Sequence, residues 1–515
     1  MNSADDGTMI ESLRKSSSLG GKPFGRRLLE THISWVILAG DFAYKIKKPV
    51  NLGFLDFSTL EKRRHYCEEE LRLNQRLAAE YYLDVLPVTR DESGWRIGGE
   101  GAPVDYAVRM KRFQTRMRLD RMLTKKKLRG HHLDAFAGLV ADFHMHRVAV
   151  SHDRGTAEQV CAPARDNFSQ IRQVLDGLEP DVFPELEEWN ARACKRYWHK
   201  FEARRKQGWI RECHGDLHLG NMAWTPSGPL IFDCIEFNPD LRWIDVLSEV
   251  AFLVMDLHAH ENEALAWRFL NRYLERTGDY LGLELLPFYL VYRAMVRAKI
   301  AAIRVSQLTL GTGLAGEFLK VDHYCLVARG FTRTRSPRLL ITHGLSGSGK
   351  SSFSAQLMQK AGCIRIRSDV ERKRLFNLDM DESARATPGS GIYTPEASER
   401  VYAHLLVLAE AVLDAGFSVI VDAAFLREEQ RRPFMELAQA KGMPFLIVAL
   451  QASPDVLRKR VARRKYDVSD ADLAVLESQL ANYAGLSPGE QDVVLEVDTQ
   501  TTPDWNSILA RLEKG

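Results

Sequence analysis

The stretch GLSGSGKSS at residues 344–352 decides the fold of the last third of this 515-residue chain. It follows the apolar strand candidate 339–343 and opens a helical pattern, which is the setting that a phosphate-binding loop requires. Glycines let backbone N–H groups surround phosphates, the lysine reaches the β- and γ-phosphates, and the next serine holds Mg²⁺. The stretch predicts a nucleotide site formed by Gly344, Ser346, Gly347, Ser348, Gly349, Lys350, Ser351 and Ser352.

Apolar strand candidates and helical stretches alternate through this part of the chain. The strand candidates lie at residues 339–343, 363–367, 417–422, 445–450 and 492–497. Such alternation predicts an α/β domain whose parallel sheet is built from right-handed crossovers.

Two aspartates follow strand candidates of this domain. Asp369 comes just after the second candidate, with Arg372 three residues further on, and Asp422 ends the third. Ligands of open parallel sheets bind at the carboxyl ends of the strands. We expect Asp369 to accept the proton of an acceptor hydroxyl, Arg372 to hold the acceptor, and Asp422 to position the metal or its water. The alternative is that both aspartates only cap a helix and a turn.

A pair of arginines follows the fourth strand candidate. Arg460 and Arg464 lie four residues apart on a predicted helix and therefore share a face. Such a pair can fold over phosphates as a lid and neutralise transition-state charge. On spacing alone, a solvated basic helix is an equally good interpretation.

Residues 339–484 resemble the zeta-toxin and polynucleotide-kinase branch of small P-loop kinases. The matching residues are the P-loop, Asp369-x-x-Arg372, GIYT at 391–394, VIVDA at 419–423 and the Arg460/Arg464 pair. The resemblance implies phosphoryl transfer from ATP to a hydroxyl, with Asp369 as the base and the two arginines in a lid. It does not define the acceptor.

A second candidate site lies near the middle of the chain. HGDLHLGN at residues 214–221 is followed by Ile231-Phe232-Asp233. In phosphotransferases one aspartate accepts the hydroxyl proton, an asparagine five residues later binds Mg²⁺, and a later aspartate chelates the metal. Asp216, Asn221 and Asp233 fit these roles. A polar turn with capping residues is the alternative, and reading the two histidines as metal ligands is a weaker one.

Such a site needs an upstream lysine for the phosphates and a helical glutamate to hold it. Strand alternation in FAYKIK at residues 42–47 places Lys45 and Lys47 on one face, so either fits. Lys45 is preferred because it follows the apolar-apolar-Lys-Ile pattern of kinases. Glu70 is preferred over Glu69 as its partner because Leu73 and Leu77 follow it at core spacing.

Four further expectations concern the surroundings of this second site. The turn 30–32 (Glu-Thr-His) replaces a glycine-rich loop over the phosphates, and adenine rests against residues 109–112. Glu236 adds a second carboxylate near the metal, and Asp245 braces the catalytic loop.

Residues 30–330 resemble the aminoglycoside-phosphotransferase and choline-kinase group of kinase-like folds, on the strength of these motifs. The resemblance implies an α+β domain with two lobes: a small strand-rich lobe, a larger helical lobe, and ATP between them. The whole chain resembles bacterial proteins that join a phosphotransferase-like domain to a P-loop ATP-binding domain. The proposed division is a polar lead-in at 1–30, a kinase-like domain at 31–330, a linker at 331–338 and a P-loop domain at 339–515.

Composition limits the partners. The chain has 71 basic and 68 acidic residues and a net charge of +3, so no strong global field indicates nucleic acid or a membrane surface. Seven cysteines without a Cys-x-x-Cys pair are typical of a reducing cytoplasm. The polar start lacks an apolar signal core, and the apolar runs are too short to span a bilayer. These features predict a cytoplasmic protein, with its oligomeric state left open.

Together the two sites predict a tandem phosphotransferase that uses ATP and Mg²⁺ and phosphorylates hydroxyls of small molecules. One alternative is a regulatory or switch protein with one catalytically silent domain. Another is a nucleic-acid 5′-end kinase acting through the P-loop domain, which the near-zero net charge does not favour.

Overall fold

A computed structural model describes residues 3–15, 19, 27–51, 53, 55–92, 94–308, 313–333, 336–380, 391–463 and 473–514. The chain forms two compact units. The first comprises residues 1–170 and 190–256, and the second comprises residues 171–189 and 257–515.

The first unit contains a six-stranded antiparallel sheet with the order β1-β2-β3-β6-β4-β5. Strands β2 and β3 form a hairpin that turns at Gly40 with φ +56°. The strands are β1 (Arg27–Glu30), β2 (Ser34–Ala39), β3 (Phe42–Lys47), β4 (Tyr82–Asp91), β5 (Gly94–Ile97) and β6 (Pro103–Lys111).

Helices and two short strand pairs complete the first half of the chain. The strand pairs are β7 (Ile210–Glu212) with β10 (Trp243–Asp245), and β8 (Met222–Thr225) with β9 (Gly228–Ile231). The helices are α1 (Ser3–Lys15), α2 (Leu60–Ala78), α3 (Leu119–Thr124), α4 (Gly130–Asp142), α5 (Ala157–Leu175), α6 (Phe183–Lys206) and α7 (Val246–Ala259).

Within the predicted polar lead-in, residues 3–15 form helix α1 and residues 27–30 form strand β1. Helix α1 buries Met9, Ile10 and Leu13 in the core of the six-stranded sheet, together with Trp95 and Ile97 of β5. Its apolar residues are few, and although Met9, Ile10 and Leu13 have helical spacing, the many polar residues around them obscure the pattern. Burial of these side chains provides the stabilisation that holds the helix in place.

The second unit contains a five-stranded parallel sheet with the order β12-β13-β11-β14-β15, which confirms the predicted α/β fold. The strands are β11 (Leu339–His343), β12 (Ile364–Arg367), β13 (Val419–Asp422), β14 (Phe445–Gln451) and β15 (Val494–Asp498). The helices are α8 (Glu263–Thr277), α9 (Leu286–Gln307), α10 (Leu314–Thr332), α11 (Lys350–Ala361), α12 (Ser368–Leu375), α13 (Pro395–Asp414), α14 (Glu428–Ala440), α15 (Pro454–Ala462), α16 (Leu473–Ala481) and α17 (Trp505–Lys514).

Helix α8 packs along the outer edge of strand β12. The Asn271 side chain donates to the carbonyl of Cys363 (3.1 Å) and accepts from the backbone N–H of Arg365 (2.6 Å), as a neighbouring strand would. Trp267 lies against Gly362, the residue that ends α11. The edge of the sheet is therefore covered by a helix that precedes the predicted linker in the sequence.

Two observations concern the chain as a whole. Among the described residues, no helix is both long and apolar enough to cross a membrane. The seven cysteines are all buried as free thiols.

Helix α10 continues to Thr332, so the first two residues of the predicted linker are helical.

We predict that Gly362→Ala destabilises the protein more than Gly416→Ala. Both glycines follow a helix and have positive φ, +65° and +82°, so each alanine bears backbone strain of roughly 1–2 kcal/mol. A Cβ at Gly362 would lie 2.8 Å from Nε1 of Trp267, whereas nothing lies within 4 Å at Gly416. Thermal unfolding of the two variants measures the difference. Equal losses of stability in the two variants would show that Trp267 moves away from the added Cβ without destabilising the protein.

Candidate active sites

In the first unit, two lysines of β3 share one carboxylate on α2. Lys45 Nζ lies 2.8 Å from Glu70 Oε1 and 2.6 Å from Asp233 Oδ1. Lys47 Nζ lies 2.8 Å from Glu70 Oε2 and also binds Glu236. The side chain of Lys45 is 11% exposed and that of Lys47 is fully buried. Both lysines thus lie on one strand face, but only Lys45 contacts the candidate metal aspartate.

Burial and pairing set the protonation of this cluster. Burial alone would lower the pKa of Lys45, but the carboxylates of Asp233, Glu70 and Glu236 raise it well above its usual value. Burial likewise opposes ionisation of Glu70, and the two ammonium groups overcome it and lower the Glu70 pKa. Lys45 therefore remains a cation at neutral pH, as a phosphate ligand must.

The loop after β7 brings the candidate base and asparagine together. Asn221 Nδ2 donates to the Asp216 carboxylate (2.8 Å) and to its carbonyl (3.1 Å). His218 Nε2 lies 3.3 Å from the same carboxylate. The β8–β9 hairpin then leads to Asp233, which has φ +66° and a side chain that is 47% exposed. The two carboxylates and the amide are thus held on one short stretch of loop and hairpin.

Glu249 of α7 braces the catalytic loop. Its carboxylate accepts from the backbone N–H groups of His214 (3.1 Å) and Gly215 (2.6 Å), and it lies 2.7 Å from His144 Nε2. These contacts lower the pKa of Glu249 despite its burial. The bracing role expected for Asp245 stays a prediction.

Asp245 lies in β10, which pairs with β7, and there it binds Arg204 and accepts from Leu247 N at the start of α7. A single charged residue within the largely apolar run 246–255 is the sequence signal that could have indicated Glu249.

Three neighbouring expectations have different outcomes. Glu69 pairs with Arg72 (2.9 Å) and not with either lysine. Glu236 is buried against Lys47, and burial raises its pKa, so it acts as a partner of the lysine and not as an open metal ligand. The turn 30–32 connects β1 to β2, and Thr31 Oγ1 accepts from Ser34 N (2.9 Å). Its contact with phosphates and the adenine position at 109–112 stay predictions.

In the second unit, the P-loop connects β11 to α11 as the sequence predicts. Gly344, Gly347 and Gly349 all have positive φ, from +84° to +149°. Lys350 Nζ donates to the carbonyls of Gly344 and Leu345, both at 2.8 Å. The lysine is thus folded over the loop that it is expected to share with phosphates.

Asp422 binds a serine of α11, and further serines lie in and after the P-loop. Ser354 Oγ donates to Asp422 Oδ2 (2.9 Å) and also contacts the carbonyl of Ser351 (3.2 Å). Ser351 is half-buried and Ser352 is exposed. Ser348 Oγ is buried and has no hydrogen-bond partner among the described residues.

Asp369 and Arg372 lie in the first turns of α12. The helix begins after Arg367 without a side-chain cap, so the structure gives no support to a capping role for Asp369. Burial and the nearby Asp422 carboxylate raise the pKa of Asp369, although Arg367, Arg372 and Lys350 lower it. Arg372 is buried, donates to the carbonyl of Ile392 (2.7 Å) and lies 5.1 Å from the Tyr393 ring.

Of the two candidate lid arginines, the structure describes Arg460. Arg460 of α15 donates to the carbonyl of Gly347 (3.3 Å) and to Thr499 (2.8 and 2.7 Å), so it contacts the P-loop. Arg464 lies outside the described residues. Gln479 of α16 accepts from the P-loop N–H of Ser346 (2.8 Å), a contact that no sequence motif indicated.

Comparisons with known proteins match both parts of the chain. The family model described as "Phosphotransferase enzyme family" matches residues 63–286, and that described as "AAA domain" matches residues 339–486. The uncharacterized proteins Rv2004c of Mycobacterium tuberculosis and Mb2027c of Mycobacterium bovis are each 31% identical over 466 residues, 90% of this chain and 91% of theirs.

Solved kinases resemble each part of the chain. The amicoumacin kinase hAmiN aligns at 11% identity with a TM-score of 0.40, covering 64% of this chain and 94% of its own. A gluconokinase from Sinorhizobium meliloti aligns at 21% identity with a TM-score of 0.25, covering 35% of this chain and 95% of its own.

Folds and family matches together define an ATP-dependent kinase, in which a phosphotransferase-type domain and a P-loop kinase-like domain occur in one chain. More particularly, the chain belongs to the family of the two mycobacterial proteins, which it matches over nearly its whole length.

The two lysines of β3 give a matched pair of variants. We predict that Lys45→Met lowers ATP turnover at the first site by ~10²-fold or more with little loss of stability, because Asp233 is half exposed and Glu70 keeps Lys47. Lys47→Met leaves buried Glu236 unpaired and is expected to cost roughly 3–5 kcal/mol of stability. Measurements of ATP turnover and of thermal unfolding distinguish a loss of activity from a loss of stability. If Lys47→Met lost turnover and Lys45→Met lost stability, the roles of the two lysines would be exchanged.

Asp369 gives a pH prediction. A general base acts only when deprotonated, so activity is lost as pH falls through its raised pKa. We expect the acid limb of the rate profile at the second site to lie above the usual aspartate value of ~3.9. Asp369→Asn should lower the rate by roughly 10²–10⁴-fold. A rate that Asp369→Asn leaves intact would remove Asp369 from the mechanism.

Proposed function

We propose that the protein is a tandem phosphotransferase in which each site binds Mg-ATP and transfers phosphate to a hydroxyl of a small molecule. The observation that carries the proposal is Lys45 held between Glu70 and Asp233, in the same chain as a P-loop. The first contact positions a phosphate-binding lysine, and the second brings it to the candidate metal ligand.

The residues of the first site fit a nucleotide with its metal. Asp233 presents a half-exposed carboxylate beside the Lys45 cation, and Asn221 adds an amide oxygen nearby in the loop. In our proposal Lys45 binds the phosphates, Asn221 and Asp233 hold the metal, and Asp216 accepts the hydroxyl proton. Glu249 keeps the loop backbone in place while Asp216 acts. Bound Mg²⁺ would neutralise charge on the phosphates.

The residues of the second site fit a nucleotide too. The buried Ser348 hydroxyl lacks a partner among the described residues, and the positive-φ glycines direct backbone N–H groups into the loop. Lys350 would exchange its two carbonyl contacts for phosphate oxygens, and Ser351 with Asp422 would hold the metal.

The acceptor side of the second site is proposed to involve two residues of α12. Asp369 takes the hydroxyl proton, and its raised pKa suits a base. Arg372 holds the acceptor, since its buried Nε lacks a partner in the described part of the chain. Arg460, as part of the lid, neutralises transition-state charge on the phosphates.

A regulatory protein with one silent domain is the second candidate. It is favoured by the sequence of the turn 30–32, Glu-Thr-His, which has no glycine where a glycine-rich loop over the phosphates is expected. A nucleic-acid end kinase is a third outcome for the P-loop domain, and the balanced charge of the chain does not support it.

The test compares ATP turnover by the full chain and by Asp216→Asn, Lys350→Ala and the double variant. Exposed Asp240 and Lys360 provide control variants of the same residue types. Hydroxylated metabolites and 5′-hydroxyl oligonucleotides are screened as acceptors. We expect each single variant to lose transfer to a different acceptor and the double variant to lose both.

Each alternative has its own result. Loss of all turnover in Lys350→Ala, with Asp216→Asn unchanged, would make the first domain a sensor. Transfer only to oligonucleotides would favour the end kinase, and no acceptor-stimulated turnover by any form would overturn the tandem phosphotransferase.

A further inference from the structure

Helix α8 places a buried carboxylate beside the P-loop site. Glu275 Oε1 accepts from Arg365 of β12 at Nε (3.1 Å) and Nη2 (2.5 Å). Its other oxygen lies 4.0 Å from Nη1 of Arg367 and 3.0 Å from Nη1 of Arg272. Glu275 thus holds the two strand arginines from outside the sheet.

From Glu275, the contacts continue to the residues proposed to hold the metal. Arg365 Nη1 donates to the carbonyl of Ser351 (3.2 Å) and approaches Ser354 Oγ (3.4 Å). Ser354 Oγ donates in turn to Asp422 Oδ2 (2.9 Å). The proposed metal ligands Ser351 and Asp422 therefore lie within two or three contacts of Glu275.

Charge balance explains why a carboxylate is needed at this position. Arg367 has Nε 4.0 Å from Asp422 Oδ2 and Nη1 4.0 Å from Glu275, and its charge also acts on Asp369. The side chains of Arg367, Asp422 and Glu275 are all buried. A buried guanidinium that loses one carboxylate is drawn to the other, and a carboxylate held by a guanidinium is a poorer Mg²⁺ ligand. Glu275 keeps Asp422 available to a cation.

We propose that Glu275 is a positioning residue that sets the Mg²⁺ affinity of the P-loop site. Glu275 lies in the 63–286 segment matched by the phosphotransferase model and outside the 339–486 segment matched by the AAA-domain model. The P-loop site thus takes part of its metal environment from a helix outside its own family segment. The inference rests on the proposed function, in that it assumes a Mg-nucleotide at the P-loop.

The experiment measures binding of a fluorescent ADP analogue to the full chain across a Mg²⁺ titration and in EDTA. Binding that Lys350→Ala abolishes is assigned to the P-loop site. Glu275→Gln is expected to raise the apparent Kd for Mg²⁺ by tenfold or more, while nucleotide affinity in EDTA changes less than twofold. Adding Arg367→Gln to Glu275→Gln should restore much of the Mg²⁺ affinity, because the competing cation is gone.

A neighbour on the same helix provides the structural control. Asn271→Leu removes the two hydrogen bonds to β12 and is expected to lower thermal stability without changing the Mg²⁺ dependence. Glu275→Asp keeps the charge and should retain more Mg²⁺ affinity than Glu275→Gln.

The inference is overturned if Glu275→Gln weakens nucleotide binding equally with and without Mg²⁺, or lowers only stability as Asn271→Leu does. It is also overturned if Arg367→Gln gives no recovery. If Lys350→Ala does not change nucleotide binding, the proposed function of the P-loop site is itself contradicted. Failure of the proposed function is thus distinguished from failure of the inference about Glu275.

Discussion

The first site depends on the ion pairs that the Glu70 carboxylate forms with Lys45 and Lys47, because these pairs hold two ammonium groups on the buried face of the sheet. Neither lysine could remain charged there alone, since burial of an unpaired cation is costly. By pairing with both, Glu70 joins α2 to β3, and through Lys45 it joins them to Asp233 beyond the catalytic loop. Helix, sheet and loop are thus held in one arrangement by charge pairing.

Contiguous motifs made much of the molecule predictable. The P-loop, the 214–221 loop and the alternating strands each need only local sequence, and the parallel sheet follows the five predicted strands closely. The choice between Lys45 and Lys47 was a different kind of question. Strand alternation places both lysines on one face. They differ in their long-range partners: Lys45 contacts Asp233, which lies 188 residues later in the chain, whereas Lys47 is buried against Glu236.

The residues that sequence reasoning missed all act from a distant element. Glu249 reaches the catalytic loop from α7, Gln479 reaches the P-loop from α16, and Glu275 reaches β12 from α8. None has a fixed spacing from the motif that it supports, so no local pattern identifies it. Helix α1 was underestimated for a related reason, because its few apolar residues become significant only when the sheet buries them.

The coverage of β12 by Asn271 has a consequence for how such a chain can evolve. A gene break within 331–338 would separate the P-loop segment from the helix that completes its outer strand. The released segment would carry an unpaired strand edge, which promotes aggregation, and arginines without their carboxylate partner. Selection therefore acts against separating the two halves by recombination at this point, and a viable exchange of P-loop domains would have to carry helix α8 with it.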